Sequence, residues 1–264
     1  MGSRSRDAGR SVDHVDIATF ATGTAQEPTK ENLRKAFETI PAKAGPNDVV
    51  VVYLAGHGVA GKAGSDLYYY LTRDARTLKP EDDAKLWAQT TISSAELREW
   101  LSRKGMPLRQ VVVLDTCAAG AATMQLLKLA DRRELTADQR RALELLKDAT
   151  GSHVLMGSAA DRVSYEASRY GQGLLTYSLL LGMRGEALDE GGRLDVAKWF
   201  RTAQLRVPEF AQGIGGIQHP VISSPSGQTF PIGLFTPVDR GQIQPARTAG
   251  QGIRPARAPF HRDQ

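Results

Sequence analysis

The sequence predicts an α/β fold with a mostly parallel central sheet. Three apolar runs rich in β-branched residues, at 47–56, 109–116 and 152–159, are nearly continuous rather than alternating. Such runs are typical of strands that helices cover on both faces. Segments with helical spacing lie between the runs, and this alternation is typical of a parallel sheet. The chain of 264 residues is long enough for one sizeable core or two small ones.

Each predicted helix has its own local signal. Ser93 with Glu96 has the spacing of a capping box, and so has Thr136 with Gln139. Helices are therefore predicted to begin directly after Ser93 and Thr136. The spacing of apolar residues predicts another helix at 29–40. Residues 172–185 are predicted to form a largely buried helix, and residues 194–207 an amphipathic one.

Composition and charge argue against several function classes. The net charge is +5, but residues 1–10 contribute +2 and residues 237–264 contribute +3, so the body between them is neutral. A neutral body without a basic stripe does not favour nucleic-acid binding. No stretch approaches the ~18 consecutive apolar residues of a membrane span. Since a single cysteine cannot form an internal disulfide, a reducing, cytoplasmic setting is predicted.

Two tails flank the predicted domain. Residues 1–13 are polar, and residues 237–264 are rich in Pro, Gly, Arg and Gln with few apolar side chains. Segments of the latter composition bury too little apolar surface to order themselves, so residues 237–264 are predicted to be a disordered basic tail. The single domain is therefore predicted to span residues 14–236.

A histidine and the only cysteine of the chain each follow a predicted strand. His57 follows the first run in YLAGHGVAG, and Cys117 follows the second in LDTCAAG. If the two strands are parallel neighbours, both residues lie at the sheet edge where open α/β sheets bind ligands. A thiol and an imidazole brought together there form a nucleophile and its base. A helix that begins after Cys117 would lower the pKa of the thiol.

Glycines flank the histidine and favour a close approach of the backbone to a substrate. Gly56 and Gly58 allow a tight turn, and the backbone N–H groups of Gly58 and Cys117 are predicted to face a developing oxyanion. Taken singly, a lone cysteine is usually a buried hydrophobe and a lone histidine among glycines is usually a turn residue. The pair, each ending its own buried strand, is harder to explain by chance. One cysteine and scattered histidines give no zinc-type spacing, so no metal is predicted.

These motifs resemble those of the caspase and metacaspase clan of cysteine peptidases. GHG after one apolar strand and DTCAAG after the next are similar to the catalytic motifs of that clan. Residues 158–183 resemble the start of the small caspase subunit, and residues 218–233 resemble the closing segment of bacterial caspase-like domains. The resemblance implies a three-layer sandwich, with His57 as general base and acid, Cys117 as the nucleophile, and no cofactor.

Two features depart from the family pattern. Members usually open with an apolar strand and a helix, whereas only about 13 polar residues precede the matching segment here. The first strand is therefore expected to be missing, which implies a truncated domain or a partner segment that supplies the strand. Ala55 stands where many metacaspases have Ser before GHG, which implies an altered substrate pocket.

The resemblance also implies a substrate preference. Caspases that cut after Asp carry Gln two residues before the cysteine and Arg on a later loop, and the corresponding residues here are Asp115 and Glu166. Two carboxylates would repel an Asp side chain and pair with Arg or Lys, as in metacaspases. The ordinary alternative is that Asp115 caps the following turn and Glu166 is solvated. The predicted function is an endopeptidase that cleaves proteins or peptides after Arg or Lys.

Two rival functions and one open question remain. An inactive caspase-like scaffold that binds protein partners is the first rival, and a flavodoxin-like nucleotide or phosphate binder is the second. The second is disfavoured because no Gly-rich phosphate loop follows any strand. By the resemblance to caspases, residues 124–151 correspond to the linker that is cut during maturation, and this implies self-cleavage after Arg133. Alternatively, the arginines of this segment form the polar face of a helix.

Overall fold

The computed structural model describes residues 14–61, 65, 67–77, 81–118, 137–157, 173–214 and 216–243. Its helices are α1 (Lys30–Lys43), α2 (Ala84–Thr90), α3 (Ser94–Leu101), α4 (Ala137–Thr150), α5 (Leu174–Leu181), α6 (Val196–Gln212) and α7 (Pro237–Gln242). A π-helical turn, Gly182–Glu186, continues α5. Its strands are β1 (Val49–Ala60), β2 (Tyr68–Leu71), β3 (Thr91–Ser93), β4 (Arg109–Ala118), β5 (His153–Met156), β6 (Arg193–Asp195), β7 (Val221–Ser223) and β8 (Pro231–Leu234).

The strands of the described residues form a six-stranded sheet and a separate two-stranded sheet. The larger sheet has the order β3-β2-β1-β4-β5-β7, and β6 pairs with β8 in the smaller one. The central strands β1, β4 and β5 are parallel, whereas β2, β3 and β7 pair in the antiparallel sense. The predicted α/β fold is confirmed, with the parallel pairing confined to the middle of the sheet.

Helices cover β4 on both faces, and its apolar run is buried as predicted. Val112 and Leu114 belong to a core with α1, α3 and α4, whereas Val111 and Val113 belong to a core with α5 and α6. None of these four side chains is more than 2% exposed. A strand between two helical layers needs apolar residues at every position, which explains the continuous run. The implied three-layer arrangement is confirmed.

The strand β1 departs from the predicted coverage on both faces. Val52 and Leu54 are buried in the core with α1, α3 and α4, but the alternate residues Val51 and Tyr53 are 50% and 45% exposed. β2 pairs only with the last four residues of β1. β4 pairs with one edge of β1 from residue 49 to residue 58. Within the part of the chain that the structure describes, no strand pairs with the opposite edge, the one that β2 joins, from residue 49 to residue 56. We call this stretch the open edge of β1.

The predicted capping box of α3 is confirmed. Ser93 Oγ accepts a hydrogen bond from the N–H of Glu96 at 3.1 Å, and the Glu96 carboxylate accepts one from the N–H of Ser93 at 3.0 Å. Lys30 of α1 contacts the same carboxylate at 2.5 Å. Burial raises the pKa of Glu96, but Lys30 and the Ser93 N–H outweigh it, so the pKa lies below its usual value. The other predicted cap, Thr136, lies outside the described residues.

Three element boundaries differ from the prediction. β1 and β4 do not end before His57 and Cys117 but continue to Ala60 and Ala118, because β2 extends the ladder at that end of the sheet. A capping box at Thr236 starts helix α7, so the first six residues of the predicted tail, Pro237–Gln242, are helical. The remaining predicted tails, 1–13 and 244–264, lie outside the described residues.

His153, at the start of β5, belongs to the core. Its side chain is buried, its Nδ1 lies 3.0 Å from Ser224 Oγ, and its ring meets Phe230 edge-on with the ring centroids 5.2 Å apart. Burial lowers the pKa of His153, and the weaker opposing influence is the charge of Asp195. The folded protein therefore takes up a proton at His153 less readily than the unfolded chain does.

This difference predicts that acid destabilises the protein through His153. As the pH falls through the ordinary histidine pKa of about 6.5, the unfolded chain takes up a proton that the folded state resists, so the free energy of unfolding decreases. We expect His153→Gln to reduce the loss of stability between about pH 8 and about pH 5, measured by urea denaturation at each pH. His14→Gln, at an exposed position, should keep the wild-type dependence. Equal pH dependence in wild type and His153→Gln would contradict this expectation.

Candidate active site

The strands β1 and β4 bring the backbones of His57 and Cys117 together. The two strands pair in parallel, and His57 is the register partner of Cys117 near their carboxyl ends. Neighbouring strands in a sheet lie about 4.8 Å apart. The His57 side chain is exposed, whereas the side chain of Cys117 lies outside the described part of the structure. The parallel, neighbouring arrangement that the nucleophile-and-base hypothesis requires is thus present in the backbone.

Tyrosines of β2 pack against the glycines of the GHG motif. A methyl group at Gly58 would lie 1.7 Å from Tyr68 Oη, so only glycine fits. Tyr68 Oη donates a 2.5 Å hydrogen bond to Thr116 Oγ1, which ties β2 to β4 across β1. Gly56 has a φ of 147°, a value that favours glycine. Tyr70 Oη donates a hydrogen bond of 3.0 Å to the carbonyl oxygen of Ala55, the residue before Gly56. The glycines therefore make room for tyrosines, a role that the sequence analysis did not predict.

Asp115 is held by hydrogen bonds to one of its two oxygens. Tyr53 Oη donates to Oδ2 at 3.0 Å, and Thr176 Oγ1 donates to the same oxygen. The two hydroxyl oxygens also lie 2.5 Å from each other. These partners of Asp115 are side chains of β1 and α5, rather than the N–H groups of a following turn. The carboxylate is thus fixed by the fold, two residues before Cys117.

The negative charge of Asp115 contributes to a raised pKa of the Tyr53 hydroxyl. Although Tyr53 as a whole is 45% exposed, its hydroxyl lies against Asp115 and Thr176. Burial of this phenol group is the larger cause of the raised pKa at Tyr53, and the nearby negative charge of Asp115 adds to it. Both influences disfavour the phenolate. Tyr53 therefore stays protonated at neutral pH and remains a hydrogen-bond donor to Asp115.

The sequence indicates Asp115 as a site residue but does not indicate the residues that hold its carboxylate. Ala55 is the register partner of Asp115, and Tyr53 lies two residues before Ala55, on the same face of β1. This relation could be recognised only once the pairing of β1 with β4 was known. Thr176 lies in a helix for which the sequence predicted burial alone. Glu166, the second predicted carboxylate, and Arg133, the predicted cleavage position, lie outside the described residues.

The described residues hold neither a metal-ion cluster nor a membrane-spanning helix. No group of three His, Cys, Asp or Glu side chains in that part of the chain is placed to hold a metal ion. No helix in the same residues is long and apolar enough to cross a membrane.

Comparison with known proteins places the chain in a family. The family model of the caspase domain matches residues 13–230. No curated protein matches the sequence. Among solved structures, the chain is similar to a protein from Geobacter sulfurreducens at 14% identity and a TM-score of 0.40, over 80% of this chain and 76% of the other. That likeness is too weak to support a statement about fold or function. The family model covers most of the sequence, and the chain therefore belongs to the caspase domain family.

Proposed function

We propose that this protein is a cysteine endopeptidase that cleaves peptide bonds after Arg or Lys, with Cys117 as nucleophile and His57 as general base. The observation that carries the proposal is the register pairing of these two residues near the carboxyl ends of two parallel strands. The exposed side chain of His57 is accessible to a substrate. Membership of the caspase domain family supports the same chemistry. A reducing setting such as the cytoplasm would keep the thiol available.

The proposed reaction needs two side chains, nearby backbone groups and water. His57 accepts the proton of the Cys117 thiol, and the sulfur attacks the carbonyl carbon of the peptide bond. His57 then donates that proton to the leaving amine, the C–N bond breaks, and a thioester remains. Water hydrolyses the thioester with His57 as base, which regenerates the thiol. The N–H groups of Gly58 and Cys117 are proposed to stabilise the oxyanion.

The proposed preference for basic side chains depends mainly on Asp115. This residue lies two positions before Cys117, which corresponds to about 7 Å along the strand. A carboxylate at that distance repels Asp and pairs with Arg or Lys. Tyr53 and Thr176 occupy Oδ2, whereas Oδ1 has no hydrogen-bond partner among the described residues. Glu166 is proposed as a second carboxylate on the basis of the family resemblance alone.

A second candidate function is an inactive scaffold that binds protein partners. The open edge of β1 favours this candidate, because unpaired backbone groups at a sheet edge can pair with a strand of another chain. Val51 and Tyr53 are exposed beside that edge. For either function, we propose that a partner segment supplies the first strand of the family fold by pairing with residues 49–56.

Substitution of the proposed catalytic pair separates the two candidate functions. We expect Cys117→Ala to abolish hydrolysis of an arginine-terminated fluorogenic peptide, and His57→Ala to reduce the rate by about 100- to 10,000-fold. An arginyl chloromethylketone should add to Cys117 in the wild type, detected by intact mass. His14→Ala, at an exposed position, should retain wild-type rates. Full activity of Cys117→Ala would refute Cys117 as the nucleophile. A wild-type protein that neither hydrolyses the peptide nor reacts with the chloromethylketone would favour the inactive scaffold.

Substitution of Asp115 tests the proposed preference. Asp115→Asn removes the charge that pairs with a basic side chain, and truncating one partner of a buried charge pair costs about 2–5 kcal/mol. We therefore expect kcat/KM for arginine peptides to fall at least tenfold, with a smaller change for neutral peptides. Asp148→Asn, on the exposed side of α4, is the matched control. A wild-type enzyme that prefers Asp over Arg at the cleavage position would show the proposal to be wrong.

Amide hydrogen exchange tests the open edge. In the purified chain, alternate amides of residues 50–56 point away from β4 and should exchange rapidly, because no strand accepts their hydrogen bonds. Amides of residues 111–114, which lie between two strands, are the internal control and should be strongly protected. Uniform protection of residues 50–56 in the chain alone would mean that this edge is already paired and needs no partner segment.

A further inference from the structure

Tyr68 of β2 reaches across β1 to β4. Its hydroxyl group donates a 2.5 Å hydrogen bond to Thr116 Oγ1, although β1 lies between β2 and β4 in the sheet. A methyl group at Gly58 would lie 1.7 Å from the same hydroxyl oxygen, so this oxygen lies directly against the Cα atom of Gly58. Tyr68 and Thr116 are each 3% exposed. A buried hydrogen bond thus joins two strands that do not pair with each other, and only glycine at residue 58 leaves room for it.

This bond adjoins both residues of the proposed catalytic pair. Gly58, which the Tyr68 hydroxyl contacts, follows His57 in β1, and Thr116 precedes Cys117 in β4. Because His57 and Cys117 are register partners, Gly58 and Thr116 lie diagonally on either side of that pair. A change in the distance between Gly58 and Thr116 therefore moves the backbones of His57 and Cys117 relative to each other.

The strand β1 is irregular just before His57. Gly56 has a φ of 147°, whereas a residue of a regular parallel strand has a φ of about −120°. The carbonyl oxygen of Ala55, at the same kink, accepts a hydrogen bond from the side chain of Tyr70. Past this kink, β4 continues only as far as Ala118. Side-chain bonds from β2 therefore supplement the strand pairing at the place where the pairing is least regular.

We propose that Tyr68 is a positioning residue for the proposed active site, and that its bond to Thr116 aligns the end of β1 that carries His57 with the end of β4 that carries Cys117. This inference rests on the proposed function. Tyr68 is buried, so it acts through Thr116 and Gly58 rather than on the substrate. Removal of its hydroxyl group takes away both the bond and the atom that lies against Gly58. A misplacement of reacting groups by about 1 Å can slow a reaction about 100-fold.

A positioning role differs from a purely structural one in the kinetic constants that it affects. If the two hydroxyl groups only satisfy each other in the core, loss of the bond lowers the free energy of unfolding and leaves the kinetic constants of the folded enzyme unchanged. If Tyr68 aligns the reacting groups, the same loss lowers kcat and leaves KM nearly unchanged, because the substrate still binds while the transition state is less well stabilised. Kinetics of folded variants therefore distinguish the two roles.

The first test measures hydrolysis of the arginine-terminated fluorogenic peptide. We expect Tyr68→Phe to lower kcat at least about tenfold and to change KM less than about twofold. Thr116→Val removes the same bond and should give the same result, whereas Thr116→Ser keeps a hydroxyl group and should retain most of the rate. Tyr69→Phe is the matched control, because the Tyr69 ring packs against Trp87 with the ring centroids 5.3 Å apart. Thermal unfolding of each variant shows whether it folds.

A double variant tests whether the two hydroxyl groups act through their mutual bond. Once Tyr68→Phe has removed the bond, Thr116→Val has no further bond of this kind to remove, so we expect the double variant to be about as active as the slower single variant. If the two reductions in kcat multiply instead, the residues act independently, and the proposed role of their bond is overturned.

Amide hydrogen exchange tests the same contact without turnover. We expect Tyr68→Phe to speed exchange in residues 57–60 and 116–118, and to leave residues 111–114 and all amides of Tyr69→Phe at wild-type rates. Unchanged exchange in Tyr68→Phe would overturn the inference.

Together, kinetics and exchange separate failure of this inference from failure of the proposed function. An active wild type with an unchanged kcat in folded Tyr68→Phe would overturn the role of Tyr68 and leave the peptidase intact. Faster exchange in Tyr68→Phe, in a chain whose wild type hydrolyses no peptide, would support the alignment of β1 with β4 by Tyr68 and overturn the peptidase.

Discussion

The parallel pairing of β1 with β4 is the constraint on which the candidate site depends. Because side chains alternate along a strand, a slip of one residue would move Val52 and Leu54 out of the core and bring Val51 into it. Burial of Val52 and Leu54 therefore fixes the register, and the register sets His57 beside Cys117. The relative position of the proposed catalytic pair is thus determined by apolar packing several residues away.

The two ends of β1 are supported differently. The end that carries His57 pairs with β2 on one side and β4 on the other, and the hydrogen bond from Tyr68 to Thr116 links these neighbours across it. The first eight residues have β4 alone as a described neighbour. Local opening is easier where a strand has fewer hydrogen-bonded partners and less burial. One strand therefore combines an end paired on both sides with a stretch, residues 49–56, that has one strand partner among the described residues.

The sequence predicts the elements of this fold better than their relations. Continuous apolar runs and capping residues such as Ser93 are local signals, and local signals locate strands and helices. Val51 is exposed, and its exposure depends on which elements pack against β1. A local sequence pattern does not contain that information. For the same reason the role of Gly58 was misjudged, because it depends on a tyrosine ten residues later in the chain. The hydrogen-bond partners of Asp115 likewise result from contacts between distant segments.

Asp115 shows how the fold prepares a charged group for a ligand. Its Oδ2 accepts hydrogen bonds from Tyr53 of β1 and Thr176 of α5. In the sequence, β1 precedes β4 and α5 follows it. Hydrogen bonds to an ionised acceptor are stronger than those between neutral groups, so folding itself orients the carboxylate. A group already fixed loses little conformational freedom when a ligand binds. The hydroxyl groups thus hold one oxygen against the scaffold, and the other oxygen has no hydrogen-bond partner among the described residues, as the proposed pairing with a basic side chain requires.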